Sequence, residues 1–245
     1  MANTIPNCKS YDATFSYELA VIVQSGLKCM FEEKQNYFYY LTTMNENYVQ
    51  PAMPEGVEEG IIKGMYPLKR AQSPSDKGNQ DNKVTLMGAG TILNEVVAAA
   101  GILKESYDVT ADIWSLTSVN ELVRDGQAVD RWNLLHPTET RRKGYVETQL
   151  EGISEPVVIA TDYMKAYGEQ LRRYIDSPLH VLGTDGFGRS DSRLALRSFF
   201  EVDRYFITVS ALKGLADSGV IDDSVVSEAI SKFGIDSEKI NPLNM

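Results

Sequence analysis

Val84-Thr-Leu-Met-Gly-Ala-Gly-Thr-Ile-Leu-Asn-Glu-Val-Val97 decides the fold. Val84 to Met87 reads as a short apolar strand, Gly88-Ala-Gly90 as a turn, and Thr91 to Tyr107 as a helix. A strand that passes through glycines straight into a helix opens a βαβ unit, which builds parallel sheet. The same alternation continues downstream. Strands are expected at Ala111 to Leu116, Val157 to Ala160 and Val181 to Leu182. Helices are expected at Val119 to Leu135, Tyr163 to Ile175 and Ser192 to Glu201. Asp203 caps another helix to about Ala216, and Asp222 or Asp223 caps the last one, to Phe233. Strands separated by helices predict an α/β fold, its mostly parallel sheet covered on both faces.

Upstream the pattern differs. Phe15, Leu19, Ile22, Val23, Leu27 and Met30 recur at helical spacing, so residues 10–33 read as a helix starting at Ser10 or Asp12. Tyr37 to Thr43 is aromatic and β-branched and reads as a strand. Glu58 to Tyr66 reads as a short helix. Residues 69–83 hold almost nothing to bury and read as a polar surface loop. The domain boundary is placed so that 1–60 is one unit and 61–245 another.

Composition narrows the function. The chain has 245 residues, 43% hydrophobic and 24% charged, with net charge −10. An acidic chain without a basic stripe argues against nucleic acid and anionic membranes as partners. No apolar run approaches the roughly 20 residues that span a bilayer, and residues 1–15 lack the basic and apolar regions of a signal peptide. Cys8 and Cys29 fit neither a zinc site nor a disulfide framework, so both read as reduced thiols and a cytoplasmic setting is expected. His136 and His180 are the only histidines, which excludes a His-rich metal site. No G-x-S-x-G elbow accompanies either.

Three places can carry chemistry. Gly88 and Gly90 resemble part of a dinucleotide fingerprint, but position 93 is leucine. A tight strand-to-helix turn is the favoured reading, with an anion at the helix start as the alternative. His136, before Pro137 and close to Arg141 and Arg142, is either a helix terminator with a basic rim, the favoured reading, or a ligand-facing or interface histidine. The loop Gly183-Thr-Asp-Gly-Phe-Gly-Arg-Ser-Asp-Ser-Arg193 has three glycines in its first six residues. Its Asp185, Arg189, Ser190, Asp191 and Arg193 can bind an anion or one another, and loop architecture or a subunit contact is favoured over ligand binding and catalysis. Asp191 or Ser192 can cap the helix that follows. Glu46, Glu55, Glu58 and Glu59 read as a solvated acidic face.

That loop, with Thr4-Ile-Pro-Asn-Cys8, Asn45-Glu-Asn-Tyr48, Pro51-Ala-Met-Pro-Glu-Gly56, Glu121-Leu-Val-Arg-Asp-Gly126, Arg131-Trp-Asn-Leu-Leu-His-Pro137 and Thr161-Asp-Tyr-Met-Lys165, resembles one family over nearly the whole chain. It is the homodimeric, bacterial-type pyruvate dehydrogenase decarboxylating component, of the transketolase-like superfamily. The resemblance implies a three-layer α/β sandwich with a mixed, mostly parallel sheet like the transketolase carboxyl-terminal domain. A helix-strand-helix remnant of the middle, pyrimidine-binding domain would precede it. The parent family decarboxylates pyruvate oxidatively and passes the acetyl group to lipoyl. It uses thiamine diphosphate and magnesium held through a Gly-Asp-Gly motif. Here the Asp-Gly steps at 125–126 and 185–186 lack the preceding glycine, and the family's activating glutamate and pyruvate-handling histidines fall upstream of Met1. No catalytic or cofactor residue is therefore carried over, and no cofactor is expected on this chain. The implied partners are the rest of the parent subunit, its dimer mate and the dihydrolipoyl acetyltransferase core. The polar loop at 69–83 departs from the family by its length.

Overall fold

The computed structural model describes residues 2–71 and 82–245. It begins with strand β1 (Cys8–Asp12), helix α1 (Ser16–Leu27), strand β2 (Phe38–Thr42), helix α2 (Glu58–Lys63) and strand β3 (Met65–Lys69). Then come β4 (Lys83–Ala89), α3 (Ile92–Tyr107), β5 (Thr110–Leu116), α4 (Val119–Leu135), α5 (Tyr145–Gln149), β6 (Val157–Ala160), α6 (Lys165–Glu169) and β7 (Leu179–Leu182). Helices α7 (Arg193–Phe199), α8 (Arg204–Asp217) and α9 (Asp223–Lys232) close the chain.

The main sheet has the order β3-β5-β4-β6-β7. Its inner pairs are parallel, and β3 runs antiparallel along β5. Alternating side chains divide the interior. Val84, Leu86, Ile113 and Val158 meet α3, α8 and α9, while Met87, Trp114, Val157, Ile159 and Val181 meet α4 and neighbouring segments. This is the expected three-layer sandwich. The tight turn expected at Gly88 lies further on. Gly88 belongs to β4, where an added Cβ would come 2.6 Å from the Leu93 backbone, and Gly90 makes the turn at φ +55°.

Three expected elements are corrected. Residues 10–33 are not one helix, because Ser10 and Asp12 lie in β1, pairing with β2. The helix starts only at Ser16, and Lys28–Glu32 continues it as a π turn. Before β3 the element order is thus strand-helix-strand-helix and not helix-strand-helix. The helix at 58–66 stops at Gly64, φ +115°, where the chain reverses into β3. The helix at 163–175 is two pieces, α6 and a 3₁₀ turn at Arg172–Tyr174. Of the polar loop expected at 69–83, residues 72–81 lie outside the described residues.

Candidate functional site

Working loops of open α/β sheets gather at the carboxyl ends of the strands. Here the 183–193 loop follows β7 at that end. Gly183 leaves no room beside the preceding crossover, since an added Cβ would sit 2.7 Å from the Lys165 amide nitrogen. Asp185 Oδ1 accepts that same amide at 3.0 Å. Gly186, at φ +100°, lets the chain turn against the backbone of Pro242 and Leu243. Asp191 accepts its neighbour's amide, from Ser192, at 2.6 Å. Ser192 caps α7 by accepting the Ala195 amide. Ser190 is exposed. The Arg189 guanidinium lies 5.1 Å over the Phe199 ring.

The two arginines that follow are paired with residues far away in sequence. Arg193 reaches Glu46 at 3.5 Å and donates to the Asn45 carbonyl. Arg197 bridges Glu46 at 2.6 Å and Glu95 at 3.2 Å, and its Nη2 is 3.5 Å from Thr91 Oγ1. Glu95 also accepts the Arg204 guanidinium at 2.9 and 3.1 Å and the Arg204 amide at 3.1 Å. Glu95 is only 2% exposed. Burial alone would push its carboxyl up, but the hydrogen bonds and charge of Arg204, with Arg197 behind them, hold it below the usual range. A cleft of about 240 Å³ opens over this network, lined by Gly186, Gly188, Arg189, Arg193 and Arg197.

A second polar cluster joins residues 8–18 to the main sheet. Glu18, fully buried in α1, accepts four hydrogen bonds. They come from Tyr66 OH (2.6 Å), Ser115 Oγ (2.6 Å) and the amides of Thr14 (2.5 Å) and Phe15 (2.9 Å). Burial pushes the Glu18 carboxyl up, against the pull of those donors. Asp12 accepts Thr42 Oγ1 and Tyr163 OH at 2.6 Å and Tyr167 OH at 2.9 Å. The Thr14 hydroxyl donates to the Gly90 carbonyl at 2.7 Å.

The structure therefore brings the start of α3 and the 183–193 loop to one end of the sheet, with Arg197 reaching between them. Gly88 pairs within the sheet opposite Ser115 and Ala160, and at the helix start Leu93 and Asn94 donate to the carbonyls of Gly90 and Thr91. His136 is not brought there. It ends α4, a helix of 17 residues and so about 25 Å long, which starts at the carboxyl end of β5. His136 stacks on Trp132 at 4.3 Å, and Arg142 covers the same indole at 3.5 Å. Sequence reasoning missed Glu18, Glu95, Arg197 and Arg204. Two carried a signal: Glu18 falls one turn before Ile22, and Glu95 falls among Ile92, Val96 and Ala99, all buried. A carboxylate on an apolar stripe requires a partner. Glu46, expected on a solvated face, instead pairs with two arginines.

The arrangement fastens segments to each other. Arg193, Arg197 and Arg204 pair with two carboxylates, Glu46 and Glu95, with one positive charge in excess, and within that network no described serine or cysteine hydrogen-bonds a histidine or carboxylate side chain as a nucleophile and base would. Among the described residues no three His, Cys, Asp or Glu side chains converge on a metal position. No described helix is long and apolar enough to cross a membrane.

The pyruvate dehydrogenase E1 component of Pseudomonas aeruginosa is 56% identical over 100% of this chain, which covers 27% of that protein. That of Escherichia coli K12 is 53% identical over 98% of this chain and 26% of its own length. The chain thus spans about a quarter of the length of the relatives it matches. Among solved structures, transketolase from Leishmania mexicana superposes with a TM-score of 0.61 at 15% identity, over 88% of this chain and 26% of its own. A split-gene transketolase, described as an inactive beta4 tetramer, gives 0.53 at 15% identity, over 88% and 59%. At those identities the likeness is one of fold. Residues 1–51 match the pyruvate dehydrogenase E1 component middle domain, and residues 64–203, more than half of the chain, match the transketolase-like TK C-terminal domain, the family to which this chain belongs.

Proposed function

We propose that this chain is the carboxyl-terminal portion of a pyruvate dehydrogenase decarboxylating component and that its part is structural. The carrying observation is the pairing of high identity over all of this chain with coverage of only 27% of the relative. In the parent, thiamine diphosphate and magnesium supply the carbanion chemistry that decarboxylates pyruvate. The Asp-Gly steps of this chain, at 125–126 and 185–186, lack the preceding glycine of the parent's diphosphate motif, which supports a part without cofactor. What the described residues do is hold the last strands of the middle domain on the third domain. Glu18 and Asp12 receive hydroxyls from β3, β5 and the Tyr163–Tyr167 segment. Arg197 clamps Glu46, which follows β2, to α3. The 183–193 loop then acts as architecture for this seam and as a surface toward the dimer mate.

On this reading the working partners are the remainder of the parent subunit, its dimer mate and the dihydrolipoyl acetyltransferase core, in the cytoplasm. A chain of this kind alone would associate with copies of itself, as the split-gene transketolase neighbour is described to do. The test is calorimetric titration of the purified chain with thiamine diphosphate and magnesium. No heat of binding is expected; micromolar binding would overturn the proposal.

A further inference from the structure

The segment after α9 returns to the 183–193 loop. Gly234, at φ +65°, turns the chain out of α9, and the Ile235 amide donates to the Ile230 carbonyl at 3.0 Å. From there to Met245 only Pro242 is buried. This segment is tied down at Lys239 and at Pro242, and the two ties meet opposite ends of one stretch of chain.

The Lys239 ammonium donates to the Ser198 carbonyl at 3.0 Å and to the Phe199 carbonyl at 2.6 Å, in the last turn of α7. It also reaches Glu201 at 3.5 Å and lies 5.4 Å from the Phe199 ring centre and 5.3 Å from that of Phe206. An ammonium has three donors, and here each has an acceptor at the end of one helix. The free carbonyls of a helix end carry negative partial charge, so a cation is favoured there. Pro242 meets the loop itself. A Cβ added to Gly186 would overlap the Pro242 carbonyl oxygen and come 3.4 Å from the Leu243 Cα. Gly186 begins the exposed part of the loop, and Phe199 ends α7.

What lies between these points has little else to fix it. Among the described residues nothing accepts a hydrogen bond from the amides of residues 186–190, and all five residues are exposed. Helix α7 has seven residues and buries none of them. A helix that short needs tertiary support. Arg193 and Arg197 tie one side of it to Glu46 and Glu95. The other support comes from the closing segment. Arg189, inside the loop, lies 5.1 Å over the same Phe199 ring that Lys239 approaches, so loop and closing segment meet on one aromatic ring.

We propose that residues 234–245 are a strap that sets the conformation of the 183–193 loop, with Lys239 as its catch. Seated, the strap presents the loop as one surface. Released, it leaves the loop and α7 loose while the sheet stays folded, because no strap residue belongs to either main core cluster. The strap's contacts all lie within residues 186–245, so the inference stands whether or not the loop meets a dimer mate.

The experiment uses the whole chain under native conditions. Chymotrypsin reads the loop, since Phe187 is 79% exposed, and amide hydrogen exchange of residues 196–200 reads α7. Lys239→Met keeps the side-chain stem and removes the charge. It should speed cleavage at Phe187 and exchange in α7 about tenfold, with exchange in β4 and β6 unchanged. Lys239→Arg still donates to the carbonyls and should keep both rates near those of the parent chain. Removing residues 240–245 takes away Pro242 but leaves Lys239, and should also speed cleavage at Phe187. Rates indifferent to both Lys239→Met and the shortening would overturn the proposal. So would equal acceleration in β4 and β6, which would make Lys239 a support of the whole fold and not a catch for the loop.

Discussion

Glu18→Ala is expected to lower the unfolding free energy by about 4 kcal/mol, the largest effect of any single substitution considered. The carboxylate accepts two hydroxyls and two amides in a site with no exposure. Its removal leaves those donors buried without an acceptor, and each such group costs about 1–3 kcal/mol when no water enters. The loss is not the full sum, because Tyr66 OH keeps its 2.6 Å contact with Tyr17 OH and the Ser115 hydroxyl can rotate. Urea unfolding checks it. A loss under about 1 kcal/mol would mean that water replaces the carboxylate. The pH dependence is diagnostic. Burial raises the Glu18 carboxyl above its unfolded value of about 4.3, so the folded state binds its proton more tightly. The contribution of Glu18 is therefore fullest below that value and declines as pH rises toward the folded pKa. The penalty of Glu18→Ala should shrink on going from acid toward neutral pH.

Glu95→Ala should cost about 3 kcal/mol with the opposite pH dependence. It leaves Arg197, whose side chain is 11% exposed, with Glu46 alone, and Arg204 with no carboxylate partner from α3. Breaking a buried pair costs about 3–5 kcal/mol, and the lower end applies because Arg204 reaches solvent. The Glu95 carboxyl is held below its unfolded value, so its stabilisation is fully present above about pH 4.3 and is lost as pH falls through the folded pKa. The wild-type and variant denaturation curves should converge at acid pH. Parallel curves from neutral to acid would show that Glu95 acts by packing and not by charge.

The main sheet was legible because each strand is apolar and each helix carries its own signal. β6 and α4 have the expected bounds, and Asp203 and Asp222 cap their helices by accepting first-turn amides. β1 was illegible for a physical reason. Its residues Cys-Lys-Ser-Tyr-Asp mix polar and apolar groups, and along one edge its backbone partners are Thr117, Ser118 and Arg124, more than a hundred positions away. Ser10 and Asp12 also look like helix caps, since a strand residue and an N-cap residue share extended backbone. The polar seam was invisible because pairs such as Glu18 with Ser115 and Arg197 with Glu46 leave no spacing to read. A turn in the 183–193 loop was legible from its glycines, Gly186 taking φ +100°, and the end of α4 at His136 from Pro137.

The most direct test of the central claim is reconstitution. A pyruvate dehydrogenase E1 component of a close relative, shortened by the region this chain matches, would be assayed for pyruvate decarboxylation with and without this chain. Neither polypeptide alone is expected to be active, and combining the two should recover activity, with recovery weakened by Glu18→Ala. Decarboxylation by this chain alone, or full activity of the shortened relative without it, would contradict the account.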